Sequence, residues 1–167
     1  VVLCGRTAAK LEAAKQAIRG GATDIETIAA DCTVEKQCQR VALETINRFG
    51  RIDILVTAAS INKRYPADGF PMDAFDEMME TNLKGAFMMN KAVGKYMIEQ
   101  RSGKIINMSS IRCVKGHPMG YSAFAASKAG IGAFSRQLAV EWAPYQINVN
   151  CIAATELLTP TTRELYE

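Results

Sequence analysis

Gly50-Arg51-Ile52-Asp53-Ile54-Leu55-Val56-Thr57 carries a short run that is apolar except for Asp53. It is too brief for a helix and lacks the polar alternation of a half-exposed strand. Ile52–Thr57 therefore reads as a strand in a parallel sheet covered on both faces. Before it, a helix is expected from about Val34 to Phe49, with Gly50 as its stop. After it, residues 60–69 read as loop, with Pro66 and Asp68-Gly69 as turn signals.

The same alternation extends in both directions. Toward the start, Val1–Cys4 reads as a strand and Thr7 caps a helix to about Arg19, closed by Gly20-Gly21. Asp24–Ala30 is the next strand. Toward the end, Pro71 opens a helix to about Leu83, and Gly85 is expected to break or bend it before a second helical run over Ala86–Gln100. Lys104–Met108 is a strand, 109–120 a loop, Tyr121–Trp142 a long helix ending near Pro144, and Ile147–Ile152 a final strand. Strands separated by long helices imply βαβ units, so the fold class is α/β with a Rossmann-like, doubly wound parallel sheet. The 167 residues form a single domain or part of one.

Composition narrows the function. A net charge of +3, with the cations spread along the chain, disfavours a nucleic-acid partner. No apolar run nears the roughly 20 residues that span a membrane, so none is expected to cross one. The five cysteines are odd in number and none has C-x-x-C spacing, which disfavours a disulfide framework or zinc and fits a reducing cytoplasmic setting. With one histidine and no cysteine cluster, no metal site is expected.

The chemistry gathers past the strand ends, where ligands bind in open doubly wound sheets. Arg6, Asp31, Thr57–Ser60 and Ser109-Ser110 all follow strands and so share one rim. Phe124 and Lys128 are i and i+4 on the long helix, hence on one face. A tyrosine at 124 would place a phenol beside an ammonium, a proton donor and acceptor of tuned pKa. Phenylalanine has no proton to give.

These stretches resemble the short-chain dehydrogenase/reductase family. The matching segments are Gly50–Val56, Thr81-Asn82-Leu83-Lys84-Gly85, Lys104–Ser110, Ala126-Ser127-Lys128-Ala129-Gly130 and Ile147–Ala153, in family order along nearly the whole chain. The resemblance implies an oxidoreductase that interconverts an alcohol and a ketone with a nicotinamide cofactor. Ser110, rather than Ser109, would bond the substrate carbonyl. Lys128 would bind the nicotinamide ribose and lower the neighbouring phenol's pKa. Asn82 would hold a water that relays protons to Lys128. Competing structural roles are a helix kink or cap for Asn82, a loop hydroxyl for Ser110 and a solvated lysine for Lys128.

For the cofactor, Gly5-Arg6 stands where NAD users carry an acid, so NADP(H) is favoured over NAD(H), with Arg6 pairing with the 2′-phosphate. Arg6 as a plain surface arginine is the alternative. Asp31 would accept from the adenine amine, with Cys32 adding its backbone, unless Asp31 is only a helix N-terminal acid. Ala58 and Ala59 belong to the turn at the cofactor. Lys63, Arg64, Arg112 and Lys115 suggest either a basic rim for an anionic substrate or a solvated charged surface. The segments Ile61–Pro66 and Ile111–Pro118 are similar to gluconate 5-dehydrogenase-like and other sugar-acid or polyol dehydrogenases, which implies a small-molecule alcohol or ketone as substrate.

Departures from the family pattern shape the expectation. The glycine-rich phosphate loop with the family's first strand, and its last strand, find no match, so the domain is expected to be incomplete. The strands at 1–4 and 52–57 would then lack a shared neighbour, and the chain alone is expected to be poorly stable and not to bind a dinucleotide. Thr57–Ser60 replaces an Asn-Ala-Gly turn, Ala154-Thr155 a Pro-Gly, and Phe124 the catalytic tyrosine. A homo-oligomer is expected through Phe87-Met88-Met89, Ala133-Phe134 and Leu138, with core packing as the competing role. A catalytically silent partner subunit and a non-functional fragment are the alternative functions.

Overall fold

The computed structural model describes residues 1–18 and 24–155. Its strands are β1 (Val2–Gly5), β2 (Glu26–Ala29), β3 (Ile54–Thr57), β4 (Gly103–Met108) and β5 (Ile147–Ile152). Its α-helices are α1 (Ala8–Ile18), α2 (Glu35–Phe49), α3 (Met72–Met78), α4 (Gly85–Gln100) and α5 (Ser122–Trp142). The expected Gly20-Gly21 stop lies outside the described residues.

All strand pairs are parallel, as the alternation of elements predicts. They form two sheets, β1-β2 and β3-β4-β5, so β1 and β3 share no strand partner. The family's glycine-loop strand and last strand are not among the described elements.

The main core lies on one face of β3-β4-β5. Cys38 and Ala42 from α2, Met88, Val93 and Met97 from α4, and Leu138 from α5 pack there on Ile105, Ile147 and Val149. The crossovers β3-α4-β4 and β4-α5-β5 run in one direction along the sheet, and right-handed crossovers then put both helices on the same side. The opposite face is open: Ile54 is 62% and Val56 55% exposed. The expectation that this strand is covered on both faces is therefore corrected. No described helix packs on that side, and the side chains at 54 and 56 point there by strand parity. A smaller cluster of Ile28, Ala30 and Val41 ties the two-stranded sheet to α2.

Gly85 does not break the helical run. The chain passes from α3 through a π-helical segment, Met79–Lys84, into α4, and Gly85 keeps right-handed helical angles. A β-carbon at 85 would stand 2.9 Å from Cys32 Sγ. The residue is small because the loop after β2 passes close by, not because the helix ends.

Candidate active site

Phe124 and Lys128 stand on one face of α5, with Lys128 Nζ 5.6 Å from the centre of the Phe124 ring. Lys128 is only 3% exposed. Its ammonium donates to the Met108 carbonyl at 3.0 Å, which anchors it to the end of β4. Burial pushes its pKa below the ordinary lysine value. The solvated-lysine alternative is thus inconsistent with the structure.

The two serines after β4 differ. Ser109 is buried and donates to the Lys128 carbonyl at 2.8 Å, so its hydroxyl is spent on joining β4 to α5. Ser110 is half-buried, and its hydroxyl oxygen accepts from the Arg112 amide at 3.2 Å. That contact uses a lone pair and leaves the hydroxyl proton available for an oxyanion.

Asn82 sits inside the π-helical segment and is fully buried. Its carboxamide accepts from the Ile61 amide at 2.8 Å and donates to the Ile61 carbonyl at 2.9 Å. It also donates to Ser127 Oγ at 3.1 Å. Ser127 in turn donates to the Phe124 carbonyl at 2.8 Å. Asn82 therefore pins the loop after β3 to the helix that carries Phe124 and Lys128.

A second buried network went unrecognised in the sequence. Asn107 of β4 accepts from Thr57 at 2.6 Å and from Asn90 at 2.8 Å, and donates to Ser135 at 2.9 Å. It joins β3, α4 and α5 directly behind the site. The detectable signal was parity: Asn107 alternates with Gly103 and Ile105 on the core side of β4, where a polar residue needs internal partners.

The candidate cofactor residues lie farther along the rim. Arg6 is exposed just past β1. It stands near enough to Asp31 to favour that residue's ionised form, although hydrogen bonds from Thr33 do most to hold the Asp31 carboxyl below its usual pKa. One Asp31 oxygen takes both the Thr33 amide, at 2.9 Å, and the Thr33 hydroxyl, at 2.8 Å. Asp31 is thus a turn-former, not the helix N-terminal acid of its alternative role, since α2 begins at Glu35 and its cap position is Val34. Cys32 is half-buried beside Gly85, and Ala58 and Ala59 are exposed directly after β3. The exposed alanines and the Arg6–Asp31 pair offer short side chains and a cation beside an acceptor, a donor set that fits an adenosine ribose and its phosphate. Among the described residues no His, Cys, Asp and Glu group could hold a metal ion.

Of the four cations considered for a basic rim, Lys63 is paired with Glu77. Arg64 and Arg112 stand over the Tyr121 ring, 4.6 and 5.3 Å from its centre. No described helix is long and apolar enough to cross a membrane.

Comparison with known proteins bears on the family and the fold. The family model described as short chain dehydrogenase matches residues 1–167. The NAD-dependent glycerol dehydrogenase of Listeria innocua serovar 6a is 39% identical over 136 residues, covering 81% of this chain and 53% of that protein. Levodione reductase of Leifsonia aquatica is 37% identical over 153 residues, covering 90% of this chain and 57% of that protein. The crystal structure of a gluconate 5-dehydrogenase from Burkholderia cenocepacia J2315, in complex with NADP and tartrate, superposes with a TM-score of 0.91 at 30% identity, covering 99% of this chain and 65% of that one. The chain spans less than two thirds of each of these relatives. On the family match over residues 1–167 and the parallel α/β architecture, the chain belongs to the short-chain dehydrogenase family of oxidoreductases.

Proposed function

We propose that this chain supplies most of the active site of an NADP(H)-dependent oxidoreductase that interconverts an alcohol and a ketone of polyol or sugar-acid type, slowed by Phe124. The observation that carries the reading is the ammonium of Lys128, buried, tied to the end of β4 and fixed beside position 124. A bound nicotinamide would supply or accept the hydride. Arg6 would hold the 2′-phosphate, Asp31 and Cys32 the adenine end, Ala58 and Ala59 the adjoining phosphate region, and Lys128 the nicotinamide ribose. Ser110 donates its hydroxyl proton to the substrate oxygen as negative charge develops there. Asn82 keeps the loop after β3 in register with α5, so that both walls of the cleft stay in place. Phe124 gives the reacting oxygen an apolar neighbour and no proton, so the proton must come from solvent.

Relatives that name NAD and NADP both occur. Arg6 is what favours NADP(H) here. The homologues' alcohol and ketone chemistry supports the reaction class. Association into homo-oligomers would use the outer faces of α4 and α5, where Phe87 remains 44% exposed against Phe134. A second reading, a catalytically silent partner subunit, is favoured by Phe124 alone.

The test is nicotinamide binding and ketone reduction by the complete polypeptide that carries this chain. NADPH should bind more tightly than NADH, and Arg6→Ala should erode the difference by about tenfold, the scale of one charge-assisted contact. Failure to bind either dinucleotide removes the enzyme reading. Equal affinities in parent and variant remove the role of Arg6.

A further inference from the structure

At the first turn of α5 lies a cavity of about 330 Å³, bounded by Pro66, Arg112, Lys115, His117, Tyr121 and Ser122. No acidic side chain lines it among the described residues. His117 is the sole histidine of the chain. Its Nδ1 is buried and has no hydrogen-bond partner among the described residues. A buried ring nitrogen without a partner costs free energy, and one that persists calls for a ligand able to satisfy it.

The surroundings favour a ligand of negative charge. The His117 ring meets Tyr121 edge-on at 5.2 Å, and the guanidiniums of Arg64 and Arg112 both lie over that same Tyr121 ring. Stacking holds the planar forks in place and so lowers the entropy lost when they bind. The first turn of α5 forms one wall, and its start has no side-chain cap, so its amides and positive dipole end add to the field. Gly120, at φ +68°, lets the loop lie against residue 65: a β-carbon there would stand 2.6 Å from the Tyr65 carbonyl oxygen. The cavity is therefore built from two segments held in close backbone contact.

We infer that this cavity seats the carboxylate of a small hydroxy- or keto-acid, with His117 Nδ1–H and the Arg112 guanidinium as donors and Lys115 as a further cation. The inference rests on the alcohol–ketone reading above and narrows its substrate. The Tyr121 and Phe124 rings are 6.0 Å apart, so the cavity wall formed by Tyr121 adjoins position 124 on α5. Of the four basic-rim residues, Arg112 and Lys115 line the cavity, and Lys63 and Arg64 do not.

Tartrate and threitol share a carbon skeleton and differ in their carboxylates, which makes them a matched pair of probes. Their binding to the complete polypeptide carrying this chain is measured by calorimetry at constant ionic strength, with inorganic phosphate as a third probe. The His117 imidazole resonances, assigned by their loss in His117→Gln, report the location. Tartrate should bind about tenfold or more tightly than threitol, and move the His117 signals to saturation. Arg112→Gln should weaken tartrate by about tenfold or more and leave threitol unchanged, with Lys115→Gln acting in the same direction to a smaller extent. Equal affinity for tartrate and threitol, a stationary His117 signal, or phosphate binding as tightly as tartrate would each overturn the assignment. None of these readouts needs turnover. Tartrate binding at His117 without dinucleotide binding would sink only the redox reading. Ketone reduction without tartrate binding would sink only this one.

Discussion

Replacing Asn82 by alanine removes a fully buried carboxamide and three hydrogen bonds at once. The Ser127 hydroxyl keeps its own acceptor, the Phe124 carbonyl, so its loss is the mildest. The Ile61 amide and carbonyl lose partners on a half-buried residue, where water replaces them only in part. At about 1 kcal/mol net per bond, the substitution should cost roughly 3 kcal/mol. For a chain of this size, that is roughly 6–12 °C in melting temperature. The assay is thermal and urea unfolding of Asn82→Ala beside Asn62→Ala, an exposed neighbour expected to stay within about 0.5 kcal/mol of the parent. Amide hydrogen exchange adds a local readout, because Ile61 should lose protection in the first variant only. If Asn82→Ala unfolds together with Asn62→Ala and Ile61 exchange is unchanged, the clamp is not what holds the loop to α5.

Other outcomes follow from single features. Lys128 is buried with its pKa lowered, so folding is penalised while it is charged. That penalty is full below its folded pKa and fades as pH rises toward the ordinary lysine value of 10.5. The parent should therefore gain stability relative to Lys128→Met as pH is raised through that window; a pH-independent difference in urea midpoints would refute this. Gly120→Ala should destabilise by about 1–2 kcal/mol from the positive φ alone, whereas Gly116→Ala, with nothing near its β-carbon, should be neutral; equal unfolding curves would contradict it. Burial pushes the Cys38 thiol up to about 11. In the native protein at pH 8, iodoacetamide should leave Cys38 unmodified while labelling exposed Cys151, and equal labelling by mass spectrometry would be the opposite result.

The strands were legible where an apolar run met a turn residue. Ile147–Ile152 coincides with β5, and Lys104–Met108 falls one residue short of β4. The side-by-side placement of Phe124 and Lys128 followed from helical spacing and holds in the structure. What stayed hidden depends on partners distant in sequence. Asn107 meets residues 17, 28 and 50 positions away, so its polarity marks a need for partners without naming them. Gly85 looked like a breaker because a glycine's packing neighbour, here Cys32, is invisible in the local pattern. The open face of β3 was missed for a similar reason: a run of apolar side chains records what a strand is able to bury, while Ile54 and Val56 are in fact exposed.

The central proposal is a reductase site around Lys128 whose rate is limited by the absence of a proton donor at Phe124. Phe124→Tyr in the complete polypeptide tests it directly, by the kcat/KM for NADPH-dependent reduction of a hydroxy-ketone at neutral pH. General acid catalysis is worth about 10²–10⁴-fold, and restoring the phenol beside Lys128 should raise the rate by that order. A folded, NADPH-binding Phe124→Tyr protein no faster than the parent would contradict the account.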